Sequence, residues 1–201
     1  MTTTSAPLPL PRPSSGLPML VLIVTLLTLP FAIAAGLYLL GWQPARTGNH
    51  GTLLNPPQPL PADGLLDSAG RPLATAELHG KWLLILAGRG ACDAACRGRV
   101  DEMRRIQVSL NKDMGRLHRV VLTDNAGDSG LSDFRQQQPD LVVAAAPALW
   151  LPCKEQPAEQ NAYRLYVADP QGQLIISYRP DVAGKAVRAD LDRLLKFAWT
   201  G

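Results

Sequence analysis

What this chain lacks narrows its chemistry before any motif is considered. It has three cysteines and three histidines in 201 residues, and no histidine from Arg119 to Gly201. A closed structural zinc site wants four Cys or His ligands, and nothing in the spacing draws these six together. No His follows Cys96, which excludes a c-type haem attachment. A Gly-rich phosphate loop is absent, and so is a convincing Ser/His/Asp arrangement, which sets aside dehydrogenase and hydrolase chemistry. Net basicity is weak as well. From Asp63 onward eighteen Lys/Arg face seventeen Asp/Glu, whereas a nucleic-acid binder normally carries a strongly basic domain or stripe. No internal repeat is present.

The most informative absence is of charge. Between Arg12 and Arg46 there is no ionisable Asp, Glu, Lys or Arg. Within this gap "GLPMLVLIVTLLTLPFAIAAGLYLLGW" (residues 16–42) exceeds the roughly 20 apolar residues that cross a bilayer. It is too long for the apolar core of a cleaved signal peptide. We expect a transmembrane helix here, kinked at Pro30, with Tyr38 and Trp42 near one interface. The flanking charges, Arg12 and Arg46, leave its orientation nearly unbiased. The preceding residues 1–15 are Pro/Ser/Thr-rich and read as a disordered tail. Residues 43–62, "QPARTGNHGTLLNPPQPLPA", read as a Pro/Gly-rich extended tether, which places the folded domain at 63–201.

Within that domain strand and helix patterns alternate. "GLLDSAGRPLATAEL" suggests a short hairpin. "KWLLILAG" is a continuous apolar run ending in Gly, as a central buried strand requires. Val100, Met103, Ile106, Leu110 and Met114 form a stripe at three-to-four spacing, predicting a helix to about Met114. "HRVVLTD" is a second central strand, and "SGLSDFRQQQP" a short helix stopped by Pro139. "YRLYVADPQGQLIISYRP" predicts a hairpin turning at "DPQG". The last helix, 182–199, turns Val187, Leu191, Leu194, Leu195 and Ala198 inward. This order is that of an α/β thioredoxin-like fold, a central mixed sheet flanked by helices.

The candidate site lies where the first central strand runs into its helix, at "GRGACDAACRGR". Unpaired N–H groups at a helix N-terminus favour a thiolate. Four-residue spacing puts Cys92 and Cys96 on one face. That permits a disulfide, a two-sulfur clamp for Cu(I), or two buried small hydrophobes; the spacing alone does not choose. Cys153 is either structural or a third thiol. Pro147 and Pro152 compete for the position facing the dithiol. His79 reads as a turn residue, His118 as a strand-rim residue, and His50 falls in the tether. The basic stretch from Arg97 to Arg119 is either a solvated helix face or a docking surface for an acidic partner or anionic headgroups.

"LDSAGRPLATAELHGKWLLILAGRGACDAACRGRVDEMRRI", together with the anchor and the late "LYVADPQGQLI", resembles the Sco/SenC family of membrane-anchored thioredoxin-like proteins. That resemblance implies a cytoplasmic amino terminus, one bacterial inner-membrane helix, and a soluble domain in the periplasm. It further implies a role in cytochrome c oxidase assembly, with an oxidase subunit or assembly factor as partner. Cys92 and Cys96 match the family's two copper-binding sulfurs. Its histidine ligand does not carry over, because that position falls at or near Asn161. The prolines flanking the family's cysteines are replaced by Asp93 and Arg97. Three readings remain: an oxidase-assembly protein handling Cu(I) or partner thiols, a thiol-disulfide oxidoreductase with no metal role, and a non-catalytic scaffold.

Overall fold

The computed structural model describes residues 16–42, 48–60, 64–73, 78–146 and 163–197. The tail at 1–15, Pro147, Pro152, Cys153, Asn161 and Ala198 lie outside the described residues. The chain divides into two units, 1–47 and 48–201.

In the first unit, helix α1 covers Leu17–Leu39 and none of its residues is buried. At 1.5 Å per residue its length is about 35 Å, against about 30 Å of bilayer hydrocarbon. Pro30 lies within it. Length and composition suffice to cross a membrane.

The second unit is built on a six-stranded sheet. Its strands are β1 (Thr52–Pro59), β2 (Trp82–Ala87), β3 (Leu117–Thr123), β4 (Leu141–Ala145), β5 (Arg164–Ala168) and β6 (Gln173–Ser177), in the order β1-β6-β5-β2-β3-β4. β2, β3 and β4 run parallel, while β5 lies antiparallel to β2, β6 to β5, and β1 to β6. β2 occupies the middle and is buried at every residue, which explains its unbroken apolar sequence.

On one face Leu84, Leu86 and Val121 pack against Val100, Met103 and Ile106 of helix α2 (Ala94–Ser109), Leu131 of α3 (Ser129–Gln137), and Val187, Leu191 and Leu195 of α4 (Gly184–Phe197). Each such aliphatic side chain contributes roughly 1.5–3 kcal/mol on burial. On the other face Leu83, Ile85, Val120 and Leu122 meet Leu65 and Leu78. Arg99 and Glu102 tie α2 to the start of α4. Arg99 donates to the carbonyls of Pro180 and Val182, and Glu102 accepts the Gly184 N–H at 2.9 Å.

Three expectations need correction. The tether expected over 43–62 is not one throughout, since Thr52–Pro59 forms edge strand β1. Its prolines are tolerated because an edge strand needs only half its backbone groups paired, and the register slips between Leu53 and Gln58. The helix expected to reach Met114 ends at Ser109. Asn111 takes a left-handed φ of 51°, a 3-10 turn follows over Asn111–Arg116, and Met114 is left half exposed. The stretch to Arg119 is also no single solvated face. Arg119 is buried within β3, donating to Gln107, Gln138 and, at 2.8 Å, Asp140. Burial opposes ionisation of Asp140, but the Arg119 guanidinium holds its carboxyl below the usual range.

Candidate dithiol site

Two glycines carry the chain from β2 to the cysteines. A Cβ on Gly88 would sit 2.5 Å from the Tyr163 ring, so the ring can lie flat on the backbone only at glycine. Gly90 has a φ of 79°, a conformation glycine adopts without strain. Its N–H donates to Asp124 at 3.0 Å, and its carbonyl accepts from the Tyr163 hydroxyl at 2.9 Å. That hydroxyl also meets Thr123 Oγ1 at 3.1 Å. Burial raises the Tyr163 pKa, the Thr123 hydrogen bond opposes the rise, and the carboxylates of Asp124, Asp128 and Asp93 add to it. Tyr163 therefore acts as a donor, not a base.

Helix α2 then begins. Asp93 is its N-cap, its carboxylate accepting the Cys96 N–H at 3.0 Å. Cys92 and Cys96 are joined in a disulfide with 5.1 Å between their Cα atoms. Each is only 2% exposed, and both belong to the apolar cluster beneath α2. Asp93, Ala94 and Ala95 between them are exposed, as "DAA" suggests, so that only the two cysteines of this turn face the core.

The Cys92 peptide is gripped on both sides. Its N–H donates to Asp128 Oδ2 at 2.6 Å, and its carbonyl accepts from Arg97 Nη1 at 3.3 Å. Asp128 is also the N-cap of α3, taking the Gly130 N–H on Oδ1 at 3.1 Å. Gly130 lies so close that a Cβ there would stand 2.6 Å from the Cys92 carbonyl oxygen. Cys92, with Asp93, Arg97, Asp128, Gly130 and Asp133, lines an open depression of about 420 Å³; Cys96 does not. The two cysteines thus differ in position, with Cys92 bordering the depression, while both are equally buried.

Among the described residues no group of three or more His, Cys, Asp or Glu could hold a metal ion. His50 is bound to Asp190, and His118 contacts Lys81 at 2.8 Å. His79 is exposed on the turn before β2, beside Gly172. None of the three lines the depression. When reduced, the pair would present two soft sulfurs, a donor set that suits Cu(I) and not Cu(II). Asp128, Gly130 and Tyr163 escape sequence reasoning. A weak signal exists only for Asp128, whose place in "GDSG" before an apolar helical pattern is that of an N-cap.

A disulfide closing the first turn of the helix after a central parallel strand defines a thioredoxin-like protein. Residues 82–198, more than half the chain, match the family described as "transmembrane-like, thioredoxin-like, C-terminal domain", and the chain belongs to that family. No curated protein matches it. Among solved structures it is similar to apo Sco1 from Thermus thermophilus, at 18% identity and a TM-score of 0.55 over 75% of this chain and 99% of that one. Yeast Sco1 is similar at 21% identity and a TM-score of 0.52, covering 69% of this chain and 97% of that chain. Copper-bound ScoI from Arabidopsis thaliana gives 12% and 0.51, over 74% and 99%. At these identities the likeness is one of fold, and the resemblance to Sco/SenC proteins stands at that level.

Proposed function

We propose that this chain is a membrane-anchored dithiol protein of cytochrome c oxidase assembly, its domain on the periplasmic side of a bacterial inner membrane. The Cys92–Cys96 pair reduces the cysteines of an oxidase subunit or assembly partner and, while reduced, accepts Cu(I) as cargo. The observation that carries this reading is the disulfide at the N-terminus of α2 with Cys92 alone forming part of an open depression.

The exchange balances as follows. The Cys92 thiolate attacks one sulfur of the partner disulfide, and the partner's other sulfur leaves as a thiolate and takes a proton. The Cys96 thiolate then attacks Cys92 Sγ, releasing the second partner sulfur. Two electrons pass to the partner, and the chain ends in the disulfide described above. Free N–H groups of the first turn favour the attacking thiolate. Asp93 occupies the Cys96 N–H, so that donor is not among them.

A thiol-only reading has its own support, the lack of a third metal-ligand residue beside the pair among the described residues. Trapping tests the shared step. Cys96→Ser should accumulate a mixed disulfide through Cys92, identifiable by mass spectrometry, whereas Cys92→Ser should not. Either variant should lower oxidase maturation in a strain lacking the wild-type gene. Normal maturation with both variants and no trapped partner would leave only a scaffold.

A further inference from the structure

The segment that follows the membrane anchor is fastened to α4. Asp190, fully buried in that helix, accepts the N–H groups of His50 and Gly51 at 2.9 and 3.1 Å. Arg193 donates to the Gly48 carbonyl. Six residues lead from Trp42 to Gly48, and six extended residues span at most about 20 Å. The residues fastened to α4 therefore follow the apolar helix closely along the chain.

The helix carries a distinctive outward face. Val187, Asp190, Leu191 and Leu195 point inward, while Lys185, Arg188, Arg193 and Lys196 are exposed. Asp192 is the one acidic residue of α4 besides Asp190, and it stands 3.7 Å from Arg188. Arg105 of α2 joins Lys185 and Arg188 across a groove of about 250 Å³. The nearby Glu102 carboxylate is already taken by Arg99 and the Gly184 N–H. Phe197, 77% exposed, ends the same helix beside Arg193.

We infer that this outward face of α4 docks on the anionic phosphates of lipid headgroups. The cations form a row along a helix rather than a convergent pocket, which fits a planar layer of charge. Their charge is opposite in sign to an anionic headgroup layer, whose potential acts over about 8 Å at physiological salt, and the same chain carries a helix long and apolar enough to cross a membrane. Phe197 supplies an apolar side chain for the headgroup region. Docking orients the domain and uses no cysteine, so it stands or falls independently of the redox reading.

The test uses the full-length chain in nanodiscs of phosphatidylcholine alone or mixed with phosphatidylglycerol. An amine-reactive ester is followed by mass spectrometry at Lys185 and Lys196, with Lys81 as the reference. Anionic discs should slow modification at both α4 lysines about threefold or more, with Lys81 unchanged, and about 0.5 M salt should abolish the difference. Arg188→Glu, at an exposed position, should restore reactivity in anionic discs. Equal rates in the two lipids, or slowing indifferent to salt, would overturn the proposal and leave the face to an acidic protein.

Discussion

Asp128 offers the sharpest test of how the dithiol is held. One oxygen caps α3 through Gly130, and the other takes the Cys92 N–H at 2.6 Å. A lost N-cap costs about 1 kcal/mol, and a lost hydrogen bond to a charged group about 2 kcal/mol. Asp128→Ala should therefore lose about 3 kcal/mol of unfolding free energy, allowing for incomplete additivity between neighbours. Asp128→Asn keeps one oxygen acceptor and the shape of the side chain, and should lose about 1 kcal/mol. The assay is urea unfolding of the detergent-solubilised chain with the disulfide intact, followed by far-ultraviolet circular dichroism. The same samples then report the rate of disulfide reduction by dithiothreitol, which should rise in the Ala variant as the Cys92 peptide is freed. Equal losses for Ala and Asn, or less than about 1 kcal/mol for Ala, would refute the clamp.

Other consequences follow from the same geometry. Gly130→Ala would drive a Cβ to within 2.6 Å of the Cys92 carbonyl oxygen, and backbone cannot yield cheaply, so about 1–3 kcal/mol of destabilisation is expected in the same unfolding assay. Asp190→Ala leaves the His50 and Gly51 amides and the Tyr178 hydroxyl without their buried acceptor. It should cost about 3 kcal/mol and raise hydrogen exchange across β1, because those donors pin the segment just before it. Tyr163 and Tyr178 both have raised pKa values, chiefly from burial. A raised folded pKa contributes stability below the unfolded value near 10 that is lost as pH climbs through the folded one. Phenolate absorbance should therefore appear at higher pH in the native chain than in urea, and Tyr163→Phe should remove part of the difference.

The elements easiest to read from sequence were those whose pattern reports a single physical demand. β2 is buried on both faces and so is apolar throughout, and the turn "DPQG" closes Asp169 onto Gly172 and Gln173. β4 is hard to read because "LVVAA" is a five-residue strand at the sheet edge, joined on its outer side by a single bridge from Ala145 to Leu66, too short to show a period. β1 reads as linker because Pro56, Pro57 and Pro59 signal irregular chain, a signal an edge strand with a register slip does not contradict. Asp190 left a trace: it falls on the inward stripe between Val187 and Leu191, where a carboxylate belongs only if something donates to it. Its His50 backbone donor comes from 140 residues away, which no local pattern encodes. At the site, the cysteines and their place at the strand-helix junction were legible. The grip of Asp128, Arg97 and Gly130 on Cys92 was not, because it joins two loops at the ends of separate strands.

Copper handling and thiol exchange are not independent properties of such a pair. A disulfide has no thiolate to offer, so the oxidised chain must take up two electrons before Cys92 and Cys96 can bind Cu(I). Among the described residues nothing near the pair would supply a third ligand, which leaves the two sulfurs as the described donors on this side of any transfer. The expected outcome of an anaerobic Cu(I) titration against a competing chelator is therefore one copper per reduced chain, none per oxidised chain, and none in Cys92→Ser or Cys96→Ser. Copper held equally by the oxidised chain would place the donors elsewhere and remove the pair from metal chemistry. Weak copper in the reduced chain, matched by both serine variants, would leave exchange as the sole task of the pair. The trapped mixed disulfide of Cys96→Ser would then be its remaining chemical signature.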